Sequence, residues 1–357
     1  MKIKKVTAYL VDIPLKDPYH LSFTDLNSFA TIFVEIVTTE GCKSIGESVP
    51  LPGYSHETLK NAWTFVTNQG GILPGICIKD AITKLTPFCE NNPYSVTPIL
   101  TALEFLDDKC TYKLGRPFKQ KLLGTLNSTD YAALQKEIES LLGQGYTTLK
   151  VKVGMNLNED ISRTRFIQDT VGKSALIRID ANQGYNFAEA SHFVNSIDPR
   201  SVELFEQPFK IDKWAEMVEL NKVSPLPLML DESIHSEKDL DMAITLKCAE
   251  YVKFKLMKVG SVKRLESMIN KAFAHDLKVV LGNGVAGEIG CIHEGLVAAK
   301  LLQNAGEMNG FLKQKNTIFN CEIVIKDGYM LVPEDFSSEI TEDILGSFLK
   351  DKKEWLS

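Results

Sequence analysis

The stretch Arg178-Ile-Asp-Ala-Asn-Gln-Gly184 is a short apolar run that ends in a carboxylate just before a turn signal. Val202-Glu-Leu-Phe-Glu-Gln-Pro208 and Leu228-Met-Leu-Asp-Glu-Ser233 repeat the form. Each reads as a buried strand with an acid at its end. Asp180 and Glu206 are 26 residues apart, and Glu206 and Asp231 are 25 apart, which is the length of one strand-plus-helix unit. Such a repeat predicts parallel strands whose ends share one rim. When the strands close into a barrel, that rim is the C-terminal face, where catalytic side chains from several strands gather. Three carboxylates in one small volume repel one another unless a cation neutralises them. An all-oxygen set favours a hard divalent ion, so Asp180, Glu206 and Asp231 are expected to hold Mg2+.

The interval continues in both directions. Lys152 lies 28 residues before Asp180, and Lys255 lies 24 after Asp231. Both sit in strand patterns with lysines at i and i+2, so alternation sends Lys150 and Lys152 to one face of their strand, and likewise Lys253 and Lys255. A lysine inside a Val/Leu strand is costly to bury unless something uses it. Near a metal and a second lysine its pKa is expected to fall, leaving a neutral amine able to act as a base. Lys253 and Lys258 are expected to be structural or solvent-facing.

These motifs together resemble the muconate-lactonizing (muconate cycloisomerase) subgroup of the enolase superfamily, within the mandelate racemase/muconate lactonizing enzyme family. The matching residues are Lys150-x-Lys152, Asp180-x-Asn182, Glu206-Gln-Pro, Asp231-Glu232-Ser233 and Lys255-Leu-Met-Lys258. Five motifs in order and at the right intervals over nearly the whole chain are specific where any one alone is weak. The resemblance implies an α/β fold, a modified (β/α)8 TIM-type barrel with an α+β capping domain. It implies that Asp180, Glu206 and Asp231 ligate Mg2+ and that Lys152 and Lys255 flank the substrate on opposite faces. Lys150 is then expected to support Lys152 and a substrate carboxylate, and Asn182 and Glu232 to order hydrogen bonds around the metal.

Outside these motifs the composition is that of an ordinary globular chain: 357 residues, formal net charge −6, 44% hydrophobic. No apolar run is long enough to span a membrane, no signal-peptide pattern follows Met1, and the basic residues are not clustered, so neither membrane nor nucleic acid is an expected partner. Seven cysteines without CxxC spacing read as reduced thiols, and a cytoplasmic location is expected. The expected organisation is a capping domain over 1–113, the barrel over 114–313, and a tail over 314–357 that returns to the capping domain with a terminal helix. β-rich runs Lys5–Ile13 and Ala30–Val37 open the first unit, followed by helical patterns near 56–68, 79–88 and 93–110. By resemblance, the loop Tyr19–Asn27 and the segment Val49–Tyr54 close over the barrel mouth, with Phe23 and Tyr54 as substrate contacts.

Barrel strand one is the weakest in pattern: Lys121-Leu-Leu-Gly-Thr-Leu126 runs almost directly into a helix start at Asn127–Asp130. Strand seven is expected over 277–284 and strand eight over 306–312, with Asn283, Glu307 and Asn309 as substrate contacts. Two departures from relatives stand out. Ala286 occupies the position where many carry a glutamate, with Glu288 two residues on, and Glu307-Met-Asn309 replaces the Asp-x-Asp that binds a substrate ammonium in dipeptide epimerases. The expected reaction is Mg2+-dependent removal of the proton α to a carboxylate through an enediolate. The substrate is a small-molecule carboxylate, and a homo-oligomer is compatible with the chain. An amino-acid or dipeptide epimerase or racemase, or a hydroxy-amino-acid dehydratase of the cis-3-hydroxyproline type, leads the alternatives. A muconate-type cycloisomerase follows, and an inactive barrel acting as a binding protein is the reading from another class.

Overall fold

The computed structural model describes residues 1–20, 25–107, 117–282, 285–319, 323–334, 336, 339–340 and 342–357. Alternation near the N-terminus produces a long antiparallel hairpin, β1 (Ile3–His20) and β2 (Asp25–Thr38), with β3 (Lys43–Ser48) beside β2. The strands run well past the Lys5–Ile13 and Ala30–Val37 patterns because Leu15 and Phe29 go on burying apolar surface. Of the helices that follow, Leu59–Gly70, Ile78–Leu85 and Pro93–Leu106, the last is buried along nearly its whole length against β3. That closeness requires Gly46, where a Cβ would lie 2.1 Å from the Pro98 carbonyl oxygen.

After β4 (Phe118–Lys121) come seven parallel strands in sequence order with helices between them. They are β5 (Gly124–Leu126), β6 (Thr148–Lys152), β7 (Leu176–Asp180), β8 (Val202–Glu206), β9 (Leu228–Leu230), β10 (Tyr251–Phe254) and β11 (Lys278–Leu281). The hexapeptide 121–126 therefore does supply strand one, in three residues paired with β6. Strand eight differs from expectation. Among the described residues only Gly306 and Glu307 pair, with Leu122 and Gly282, and Gly310–Lys313 then turns as a 3-10 helix. Glycines at 306 and 310 bracket this segment and weaken it as a strand.

The tail also departs from expectation. β12 (Val324–Lys326) and β13 (Tyr329–Val332) form a hairpin that β4 joins, and the terminal helix is instead a strand, β14 (Leu349–Leu356), antiparallel to β1. The open edge of β1 offers a full row of backbone groups to that strand, and Trp355 packs where Gly70 leaves room for its ring.

Two buried glutamates of the N-terminal unit tie it to the barrel. Glu47 on β3 accepts from the Gly287 N–H and, at 2.9 Å, from the Gly290 N–H where helix Glu288–Leu301 begins. Glu104, inside Pro93–Leu106, accepts from the Ser261 hydroxyl and, at 2.7 Å, from the Val262 N–H where helix Val262–Phe273 begins. Each puts a carboxylate at the positive end of a helix. Burial nevertheless pushes the Glu104 carboxyl up to about 7. Glu104→Ala leaves the hydroxyl and N–H unpaired in the interface, and urea denaturation is expected to show a loss of about 1–3 kcal/mol, with Glu104→Gln nearer the parent.

Candidate active site

Side-chain alternation along the barrel strands builds the site in layers. Ile177, Ile179, Phe205, Leu228, Leu230, Val252, Phe254 and Leu281 belong to the main core. Leu204, Met229, Tyr251 and Val280, on the opposite strand faces, form a separate apolar cluster. Two residues along those same faces the chemistry changes to charge. β6 carries Lys150 and Lys152, β7 ends on Asp180, β8 ends on Glu206, Asp231 follows β9, Lys253 lies on β10 and Lys255 directly follows it. All but the fully buried Glu206 line a cavity of about 910 Å³, together with Asn182, Glu232, Glu307 and Asn309. Another hollow, of about 1030 Å³, lies at the opposite ends of the strands beside Thr148, Leu176 and Ser201 and gathers no such set.

The carboxylates are interleaved with ammonium groups. Lys150 Nζ lies 2.8 Å from both Asp180 and Glu206 and 3.2 Å from Glu307. Lys253 Nζ contacts Glu206, and lies 2.9 Å from Glu307 and 3.5 Å from Asp231. Lys255 Nζ is 2.8 Å from Asp231, and Lys258 Nζ is 3.5 Å from the same carboxylate. Beneath them Arg178 makes a two-bond fork onto Glu203 at 2.9 and 3.0 Å and reaches within 3.9 Å of Glu307. Lys253 and Lys258 are thus buried members of this lattice, the structural one of the two places that the sequence left open. The period-two relation of Lys253 to Lys255 carried the signal, since it puts both on the inner face of β10.

The lattice sets the ionisation of its members. Burial and the neighbouring Asp180 push the Glu206 carboxyl up to about 8. Burial works against the charged form of Asp231 too, but Lys255, Lys253 and Lys258 together hold it well below the usual carboxylate range. Lys255 does not show the expected fall: burial pulls its pKa down, and Asp231 overrides it, holding the group well above the ordinary lysine value as an ammonium. Lys152 differs in kind, with no carboxylate partner among the described residues.

Backbone shape and hydrogen bonds fix the acids. Asn182 sits at φ 40°, its N–H bonded to Asp180 Oδ1 at 2.9 Å and its Nδ2 donating to Glu232 at 3.1 Å. Gln207, at φ 38°, was not singled out from sequence. Its Oε1 accepts from the Asp231 and Ser233 N–H groups at 3.0 and 3.1 Å, and its Nε2 donates to Ser233 Oγ at 2.8 Å, clamping the end of β8 to the turn after β9. Tyr54 lines the cavity with its ring 5.3 Å from Lys255 Nζ. Phe23 and Asn283 lie outside the described residues. Ala286 is buried, and Glu288, two residues on, accepts from the Ile318 N–H at 2.8 Å, a structural contact. Glu307 does line the cavity, but its carboxylate is engaged by Lys150, Lys253 and Arg178, so it is not free to meet an ammonium alone.

As these side chains lie, no three His, Cys, Asp or Glu groups among the described residues close on a common point, because Lys150 and Lys253 stand between the acids. The donor chemistry nevertheless fits a hard divalent ion. Asp180, Glu206 and Asp231 offer only oxygens from adjacent strands, and the nearby Glu232 Oε2 is buried with no hydrogen-bond partner, an anionic oxygen a cation would satisfy.

The profile of the enolase C-terminal domain-like family matches residues 133–343. N-succinyl-L-Arg/Lys racemase of Bacillus cereus is 27% identical over 97% of both chains. Cis-3-hydroxy-L-proline dehydratase of Roseibium aggregatum is 28% identical over 81% of this chain and 82% of its own. The crystal structure of muconate lactonizing enzyme from Pseudomonas fluorescens superposes with a TM-score of 0.85 over 98% of this chain and 99% of its own, at 23% identity, which establishes a shared fold.

The fully buried Arg178 gives the lattice a direct test. Arg178→Met leaves Glu203 and Glu307, both largely buried, short of a partner, and chemical denaturation is expected to show a loss of about 3–5 kcal/mol.

Proposed function

Because this chain belongs to the enolase superfamily of enzymes, we propose that it removes the proton α to a substrate carboxylate and returns one from the opposite face, as a racemase or epimerase of amino-acid derivatives. The observation that carries this reading is the presence of Lys152 and Lys255, from strands on different sides of the barrel, on the wall of one cavity with the strand-end carboxylates. Lys152 has no carboxylate partner among the described residues and is the group suited to take a proton. Lys255 is held as an ammonium and is the group suited to hold one ready on the other side.

An α-proton is weakly acidic because the resulting enediolate concentrates negative charge on two oxygens. Mg2+, held by Asp180, Glu206 and Asp231, would supply the charge that stabilises those oxygens. The protein's own part is to orient the substrate carboxylate toward the Lys150 and Lys152 end of the cavity, to keep water out with Tyr19 and Tyr54 at the mouth, and to hold a proton at Lys255 Nζ. Glu307, neutralised within the barrel, offers no separate anion for a free substrate ammonium. That favours substrates whose amino group is acylated over free amino acids.

Solvent-deuterium incorporation, followed by mass spectrometry in D2O with Mg2+, tests the reading. Exchange at the α-carbon is expected in an N-acyl amino acid or dipeptide, with Lys152→Ala and Lys255→Ala each lowering it by about 10²–10⁴-fold. Loss of a β-substituent in place of exchange would make the enzyme a dehydratase, and the absence of both across a broad carboxylate panel would overturn the proposal. EDTA is expected to abolish exchange and Mg2+ to restore it. By calorimetry, Lys253→Met is expected to bind Mg2+ on the order of tenfold or more tightly than the parent, since it removes a cation competing for the same carboxylates.

A further inference from the structure

Buried glutamates recur at helix starts in this chain. Glu47 and Glu104 tie the N-terminal unit to two barrel helices, and Glu57 accepts from the Tyr94 and Ser95 N–H groups at 2.8 and 2.9 Å where helix Pro93–Leu106 begins. Glu294, on the buried helix Glu288–Leu301, does the same at a more consequential place. Its Oε1 accepts from the Leu256 N–H at 2.6 Å, and that amide is joined directly to the carbonyl of Lys255.

The backbone there has little else to hold it. Pairing of β10 with β11 ends at Phe254 and Leu281, and the helix that follows Lys255, Leu256–Val259, is a single turn. The first N–H of a helix has no partner within it, and Lys255, which caps this one, makes no side-chain capping bond. Glu294 therefore fixes the peptide plane from which the Lys255 side chain departs. The same turn carries Lys258, whose Nζ lies 3.4 and 3.5 Å from the Asp231 and Ile234 carbonyl oxygens. Glu294 is itself firmly mounted: Glu47 holds the start of its helix, and the neighbouring His293 stacks on Phe105 with ring centres 4.3 Å apart.

The charge state suits this task. Burial pushes the Glu294 carboxyl well above the ordinary glutamate value, against the pull of the Leu256 N–H and of Lys255. Its Oε2 is buried with no hydrogen-bond partner among the described residues, which a neutral acid tolerates better than a carboxylate. An ionised Glu294 would compete with Asp231 for the Lys255 ammonium. A neutral one grips the backbone and leaves Lys255 Nζ on the cavity wall, 2.8 Å from Asp231.

We propose that Glu294 is a positioning residue for Lys255, setting through the Leu256 N–H the face of the substrate on which that lysine works. The assignment rests on the two-lysine reading above and adds to it a group outside the cavity. It predicts a handed defect, because each lysine serves one face and Glu294 touches the backbone beside one lysine alone.

The test follows deuterium exchange in the separate L and D forms of N-acetyl amino acids and dipeptides, with the full-length protein and Mg2+. Glu294→Leu is expected to lower kcat for exchange by about 10²-fold in the form that Lys255→Met silences, with KM little changed, and to leave the other form close to the parent. Glu294→Gln, whose amide oxygen still accepts from the Leu256 N–H, is expected to restore the parental rate. Glu294→Asp, which withdraws the carboxyl by one methylene, is expected to show the same one-sided loss and serves where Glu294→Leu does not fold. Crystal structures of the parent and of the Leu or Asp variant read placement without turnover, with Lys255 Nζ expected to move by about 1 Å or more from Asp231. Such a shift in a protein that exchanges neither form supports the assignment, and the proton-abstraction reading alone fails. Equal loss in both forms, no loss, a Gln variant as impaired as the Leu, or Lys255 unmoved in the variant structure overturns the assignment and leaves that reading standing.

Discussion

Everything in the barrel mouth depends on one constraint: carboxylates withdrawn from water at adjacent strand ends must be neutralised where they stand. Glu206 is fully buried, and that is tolerable only because Lys150 lies on one of its oxygens and Lys253 on the other. The same constraint shapes the strands around it. The inner face of the barrel is apolar for one layer, at Leu204, Met229, Tyr251 and Val280, and then becomes an alternation of acids and lysines. Glu307 joins that alternation from the place where an eighth strand would run, so ionic contacts to Lys150, Lys253 and Arg178 complete the ring where backbone pairing stops at two residues.

Neutralisation alone would leave the groups loosely placed. Their positions are fixed by short-range devices that cost backbone strain: Asn182 and Gln207, both at positive φ, turn the chain sharply after Asp180 and Glu206 and aim side-chain amides at Glu232 and at the Asp231 N–H. The N-terminal unit is positioned with comparable economy. Glu47 and Glu104 each meet the start of a barrel helix, which sets where the β1–β2 hairpin ends and therefore where Tyr19 meets Lys313.

The result is a division of labour between kinds of structure. Groups that would move protons stand on or directly after barrel strands, where packing on both faces holds them still. The rest of the cavity wall stands on a hairpin end, on the segment carrying Tyr54 and on the turn carrying Lys313, where sequence can change without disturbing the strands. Families built on one partial reaction diversify by altering such peripheral elements.

The sequence by itself determined the repeat and the groups at its ends. Asp180, Glu206, Asp231, Lys150, Lys152 and Lys255 were legible because strand alternation and βα spacing are local properties, written within a few residues of each site. The sequence left Lys253 between a structural and a solvent-facing place, and only the fold decided for burial. What only the tertiary structure decided were relations between distant segments. These include the partners of Glu307, the reach of Glu47 and Glu104 across to the barrel, the choice of a strand over a helix for 349–356, and the place of Lys313 in the cavity wall. A lysine in a short turn looks the same in sequence whether water or a cavity receives it. Which of the two it meets depends on elements hundreds of residues apart in the chain, and no local pattern records that.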